Sequence, residues 1–223
     1  IIIFGLGSAN GSRTGASPLA EMMENLTKKP NISVITCMGN EANNKCHYKG
    51  TVMSALVPDV MEINVDGTGK GFTMEIWADS LDILSVSIES PSGEFVPRIP
   101  ARMGASMEYT FLYEGSTVTV DYQITENVAG MEVIFVRLKT PVEGTWKFYI
   151  YSLTNIKGSY NAWLPLKQFS GQDIYFLKSD PDTTLTVPAA ADGVISVGAY
   201  NHYTGAAYYE SGRGYSADGR IKP

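Results

Sequence analysis

The residues best suited to chemistry are Gly39-Asn40-Glu41, which close the run Ile32-Ser33-Val34-Ile35-Thr36-Cys37-Met38. A β-branched run of this kind reads as an interior strand. A small residue followed by asparagine at its carboxyl end puts a side-chain amide at the lip of a sheet, the place where open α/β sheets bind ligands. The chemistry there would be hydrogen-bond donation to an oxyanion by a neutral NH₂ group. Taken alone, Gly39-Asn40 reads as a turn dipeptide after a strand.

Other reactive side chains have plainer readings. Cys46 and His47 would form a nucleophile-base dyad only if both turned to one side, and neighbours on a strand point to opposite faces. Nor do they give metal-ligand spacing, so no metal site is expected and Cys37 and Cys46 read as two free thiols. Asp59-Glu62-Asp66 and Asp180-Asp182 are oxygen-rich enough to ligate a structural calcium, but they read first as solvated faces, and no cofactor is assigned. Trp77, Trp146 and Trp163 could build a carbohydrate-stacking platform. Core or domain packing ranks first for all three, although Trp163 is the least strand-like and could anchor at the surface.

The elements that would position Asn40 are legible on both sides of it. Ile1-Ile2-Ile3-Phe4 reads as a strand, followed by a loop over Gly5-Leu6-Gly7-Ser8 and Asn10-Gly11-Ser12. Ser17 as N-cap and Pro18 at the first turn predict a helix carrying Leu19, Met22, Met23 and Leu26 on one face, stopped by Lys28-Lys29 and Pro30. With the strand from Ile32 this makes a β-α-β unit with parallel pairing. After Gly50 the pattern becomes all-β. Strands are expected over 60–65, 72–78, 84–89, 107–113, 117–124, 131–138 and 144–152, with turns such as Asp66-Gly67, Pro91-Ser92-Gly93 and Asn127-Val128-Ala129-Gly130. Glycine-bounded Val194-Ile195-Ser196-Val197 then resembles the opening strands. The fold expected is mixed: a partial α/β sheet interrupted by an all-β sandwich or jelly roll, with residues 1–50 and 183–223 in the first part and 51–182 inserted.

The 223 residues hold one large domain or two ordinary ones, and 44% hydrophobic content is enough for a core. A formal charge of −6 with scattered Lys and Arg argues against nucleic acid or an anionic membrane as partner. Starting at Ile1 without a basic leader and ending at Lys222-Pro223, the chain reads as cut at both ends.

Four motifs, in order, resemble the subtilisin-like serine peptidases. Gly5-Leu6-Gly7 resembles the Ser-Leu-Gly strand of the substrate cleft, and Met38-Gly39-Asn40-Glu41 resembles the Ala-Gly-Asn-Glu oxyanion segment. Val194 to Ala199 resembles the strand after the pre-cleft proline, and Ser211 to Pro223 resembles the stretch that precedes the catalytic-serine helix. The middle resembles the jelly-roll insertion of clostridial spore-germination-type members, where Asn43-Asn44-Lys45-Cys46-His47-Tyr48 fits the subgroup.

That resemblance implies an acyl-enzyme endopeptidase acting on peptide or protein substrates, of which this chain is an internal fragment from a secreted or spore-associated parent. Asn40 would hold the oxyanion, Gly5, Leu6 and Gly7 would pair with substrate, and Cys37, Met38 and Gly39 would line the first specificity pocket, narrowed by Met38. The family's Asp, His and Ser motifs are absent, so the fragment itself would be inactive. Its alternative is a pseudopeptidase or a β-sandwich module that binds glycan or protein. Strands 1–4 and 32–37, left without neighbours, would drive self-association.

Overall fold

The computed structural model describes residues 1–67, 69–79, 81–124, 130–170 and 173–222. Residues 127–129 of the turn expected over Asn127 to Gly130 lie outside the described residues, as does Pro223. Strand β1 (Ile2–Phe4), helix α1 (Pro18–Thr27) and strand β2 (Val34–Cys37) come first. Then follow β3 (His47–Thr51), β4 (Asp59–Asp66), β5 (Gly71–Ala78), β6 (Leu84–Glu89), β7 (Phe95–Ile99), β8 (Ser106–Thr110), β9 (Thr117–Gln123), β10 (Val133–Lys139), β11 (Gly144–Ser152) and β12 (Ser159–Trp163). A four-residue helix α2 (Lys167–Ser170), β13 (Asp173–Phe176), a 3₁₀ turn (Val187–Ala190) and β14 (Ile195–Val197) complete the order.

Two antiparallel sheets form the body. One has the order β3-β12-β5-β10-β9-β8 and the other β13-β4-β11-β6-β7. Their alternating inward residues, among them Met61, Ile63, Met74, Ile76, Val86, Val120, Val136 and Phe148, form one continuous core. Trp146 is fully buried in it, edge-on to Phe111 with ring centroids 5.1 Å apart. A buried carboxylate pins one end of the sandwich. Asp82 accepts the backbone N–H groups of Ile156, Lys157 and Gly158 and the Thr154 hydroxyl. Burial alone would raise its pKa, but these donors outweigh that and hold it at about 2.

The mixed fold with a partial α/β sheet is corrected by this architecture, which is overwhelmingly antiparallel β. Among the described residues, parallel pairing is confined to β1-β2-β14, strands of three or four residues. A parallel core needs layers on both faces. Here one face packs on α1, where the Ser17 hydroxyl accepts the Ala20 N–H and Ala20 and Met23 meet Val34, Ala191 and Val194. The opposite face leaves Ile3, Ile195 and Val197 at least half exposed, so the local β-α-β unit does not grow into an α/β core. Among the described residues, no helix is long and apolar enough to cross a membrane.

Candidate functional site

The short parallel sheet aligns three strand ends. Val197 is level with Cys37 and Phe4 with Thr36, so Gly5-Leu6-Gly7, Met38-Gly39-Asn40 and Gly198-Ala199 leave the sheet at the same edge. Asn40 follows the central strand and is exposed. Gly39 adopts φ +88°, a conformation costly for any side chain with a Cβ, and this turns the chain outward at the lip.

The loop beyond the lip is fixed from below. The Asn44 side-chain amide donates both to the Asn40 carbonyl, at 3.3 Å, and to the buried Glu41 carboxylate, at 2.9 Å. Glu41 therefore holds the turn, while the Asn40 side-chain amide makes no hydrogen bond among the described residues and faces solvent. An exposed, unengaged NH₂ at a strand end is free to donate to a ligand at the lip.

Thr186 is the clamp behind this lip. Its N–H donates to the Met38 carbonyl at 3.0 Å and its hydroxyl to the Cys37 carbonyl at 2.9 Å. Its methyl lies between two glycines: a Cβ on Gly39 would stand 2.6 Å from Thr186 Cγ2, and a Cβ on Gly7 only 2.3 Å from it. Gly39 in turn accepts the Gly212 N–H at 2.9 Å. Leu6 is 71% exposed, Gly5 stands open, and Gly7 and Cys37 are half-buried. The Met38 side chain packs with Leu185, Ala189 and Ala190. It also forms part of the wall of a cleft of about 480 Å³ shared with Gly198, Tyr200, Tyr208 and Ser211. The side chain filling the space between the two glycines is thus Thr186.

The remaining reactive groups are committed elsewhere. His47 is fully buried, with Nε2 2.9 Å from the Asn161 amide oxygen and Nδ1 3.2 Å from the Asp180 carbonyl, and burial lowers its pKa. The Cys46 thiol donates to the Glu41 carbonyl, and burial pushes its pKa to about 12, so it is not a nucleophile near neutral pH. Asp59 accepts the hydroxyls of both Tyr48 and Tyr160. Trp77, Trp146 and Trp163 are all at least 95% buried, which leaves no tryptophan platform at the surface.

Sequence reasoning missed Thr186, Asn44 and Arg13. Thr186 carries no local signal, since its partners lie about 150 and 180 positions away in the chain. Asn44 had a local signal, since an asparagine four residues after Asn40 can close a turn on itself.

The fold and the lip together define an antiparallel β-sandwich joined to a short three-stranded parallel sheet whose strand ends carry an exposed amide. The same architecture occurs in the structure of the Clostridium perfringens CspB protease. That chain aligns with 23% identity and a TM-score of 0.85, over 99% of this chain and 46% of its own. The present chain thus spans less than half the length of that neighbour. No family model matches the sequence, and no curated protein matches it.

Proposed function

We propose that the chain is part of a subtilisin-like serine endopeptidase of the S8 family, supplying the oxyanion donor and the cleft strands. The observation that carries this reading is the unengaged Asn40 amide at the exit of the central parallel strand, flanked by the exits of β1 and β14. The likeness of fold to a clostridial protease supports it. In this reading residues 1–50 and 183–223 belong to the peptidase part and 51–182 to an insertion. The acylating serine and its base lie outside the 223 residues.

During acyl transfer the substrate carbonyl oxygen gains charge as the tetrahedral intermediate forms. Asn40 donates its NH₂ to that oxygen, and the neutral amide stabilises the developing charge without altering the protonation of the base. Leu6 and the peptide groups of Gly5 and Gly7 pair with an extended substrate. Thr186, seated between Gly7 and Gly39, closes the space at the base of the first specificity pocket, and small side chains are preferred there.

The test uses the complete polypeptide of which this chain is proposed to be part. Asn40→Ala should lower kcat for peptide hydrolysis by about 10²–10³, on the order of 3 kcal/mol, with KM little changed. An unchanged kcat overturns the oxyanion role of Asn40, and a complete polypeptide lacking Asp, His and Ser motifs overturns the peptidase reading in favour of a pseudopeptidase.

A further inference from the structure

Arg13 is a buried cation outside the lip, 4% exposed, in a loop that packs against the outer face of the six-stranded sheet. Its guanidinium carbon sits 4.2 Å from the centre of the Trp163 ring, and His47 stacks on Trp163 with centroids 5.0 Å apart. Burial brings its pKa down to about 10, opposed by Glu75, so it remains charged at neutral pH. The Glu75 carboxylate is itself held by the Gly11 N–H at 2.9 Å and the Trp77 indole N–H at 3.0 Å. Arg13 Nη1 is buried without a hydrogen-bond partner among the described residues. A cation so placed is an expensive way to fill space, and an apolar side chain of similar length would pack there at lower cost.

What the charged group does is hold a strap. Arg13 Nε donates to the Leu185 carbonyl at 3.2 Å, and Trp163 Nε1 donates to the Thr183 carbonyl at 3.1 Å. These are the carbonyls of residues two apart in one short segment, one held from the loop after β1 and the other from β12. The next residue along is Thr186, whose N–H and hydroxyl bond the two carbonyls that immediately precede Gly39. Thr184 and Leu185 are further tied to the Arg213 carbonyl, and Gly212 donates to Gly39.

The geometry points to Arg13 and Trp163 as positioning residues for Asn40, acting through the strap 183–186. This rests on the reading of Asn40 as the oxyanion donor. Neither residue touches substrate. They set where Thr186 stands, and Thr186 sets the direction in which the chain leaves β2.

The experiment is amide hydrogen exchange, read residue by residue by mass spectrometry, on the complete polypeptide carrying Arg13→Met, which keeps a long stem and removes the charge and the Nε donor. The reporters are the Thr186 and Gly212 amides, bonded to Met38 and Gly39. Both should exchange about tenfold faster or more, the loss expected when one charged hydrogen bond no longer restrains the segment, while amides of β10 and β11 and the thermal midpoint stay unchanged. Trp163→Phe keeps an aromatic ring beneath Arg13, removes the indole N–H together with part of the ring's bulk, and should accelerate the same two amides, which decides the matter if Arg13→Met does not fold. Unchanged reporters, or equal acceleration throughout the sandwich, overturns the proposal. In the complete polypeptide Arg13→Met should lower kcat and leave KM in place. Exchange needs no catalysis, so an Asn40→Ala variant of undiminished activity would remove the oxyanion reading and leave the exchange result standing.

Discussion

Replacing Gly39 with alanine probes the lip most directly, because the structure supplies two separable costs. The first is conformational: at φ +88° a Cβ is disfavoured by about 1–2 kcal/mol. The second is steric. The new carbon would stand 2.6 Å from Thr186 Cγ2, about 1 Å inside ordinary contact, and overpacking of that kind costs about 1–3 kcal/mol. The sum, about 2–5 kcal/mol, is a large share of the 5–15 kcal/mol roughly typical of a folded domain. Thr186→Ser removes only the clashing methyl and keeps the hydroxyl bonded to Cys37, at a cost of about 1 kcal/mol for a buried methyl. In the double variant the steric cost disappears and the conformational cost remains. Urea unfolding followed by far-ultraviolet circular dichroism should therefore give a favourable coupling of about 1–3 kcal/mol between the two substitutions. Gly7→Ala is the internal control. Its Cβ would lie 2.3 Å from Thr186 Cγ2 but also 2.8 Å from Thr186 Cβ, so Thr186→Ser should relieve it only in part. Additive losses for Gly39→Ala and Thr186→Ser would refute the placement of Thr186 between the two glycines.

Glu132 is buried with Oε2 accepting the Leu84 N–H at 2.5 Å, and burial raises its pKa to about 8. Its folded value lies above the unfolded one, so the folded state binds the extra proton between about pH 4.5 and 8, and stability falls as pH rises through that window. Glu132→Gln should flatten the decline, and thermal melts at pH 5, 7 and 8.5 with equal slopes in both proteins would refute the assignment. We also expect the isolated chain to self-associate through the open face of the parallel sheet, where Ile3 is 76% and Val197 50% exposed. Sedimentation should show dimers or larger species that Ile3→Glu with Val197→Glu dissolves, and a monomeric wild-type chain would count against it.

Much of the local structure was legible. The helix start at Ser17-Pro18 matches α1, and the expected strands over 84–89 and 144–152 match β6 and β11 residue for residue, because capping and period-two burial are read from neighbours in the chain. Four strands gave no such signal. β7 contains Pro97 and Arg98 and lies at a sheet edge, β3 and β13 are also edges, and β12 carries the polar Asn161, buried and bonded to His47 and Asp79. Tertiary contact overrides propensity at such places.

The sequence by itself determined that a strand ends in Gly39-Asn40, that a helix precedes it and that β structure fills the middle, since each depends on spacing within a few residues. Only the tertiary structure shows that antiparallel sheets dominate, that the parallel sheet has three strands among the described residues, and that Thr186 stands between Gly7 and Gly39. It also decided that a lone arginine in a Gly-Ser loop lies against Trp163 and reaches the carbonyl of Leu185. These are contacts between segments up to about 180 residues apart, and hydrophobic period and turn chemistry carry no record of which distant backbone will be met.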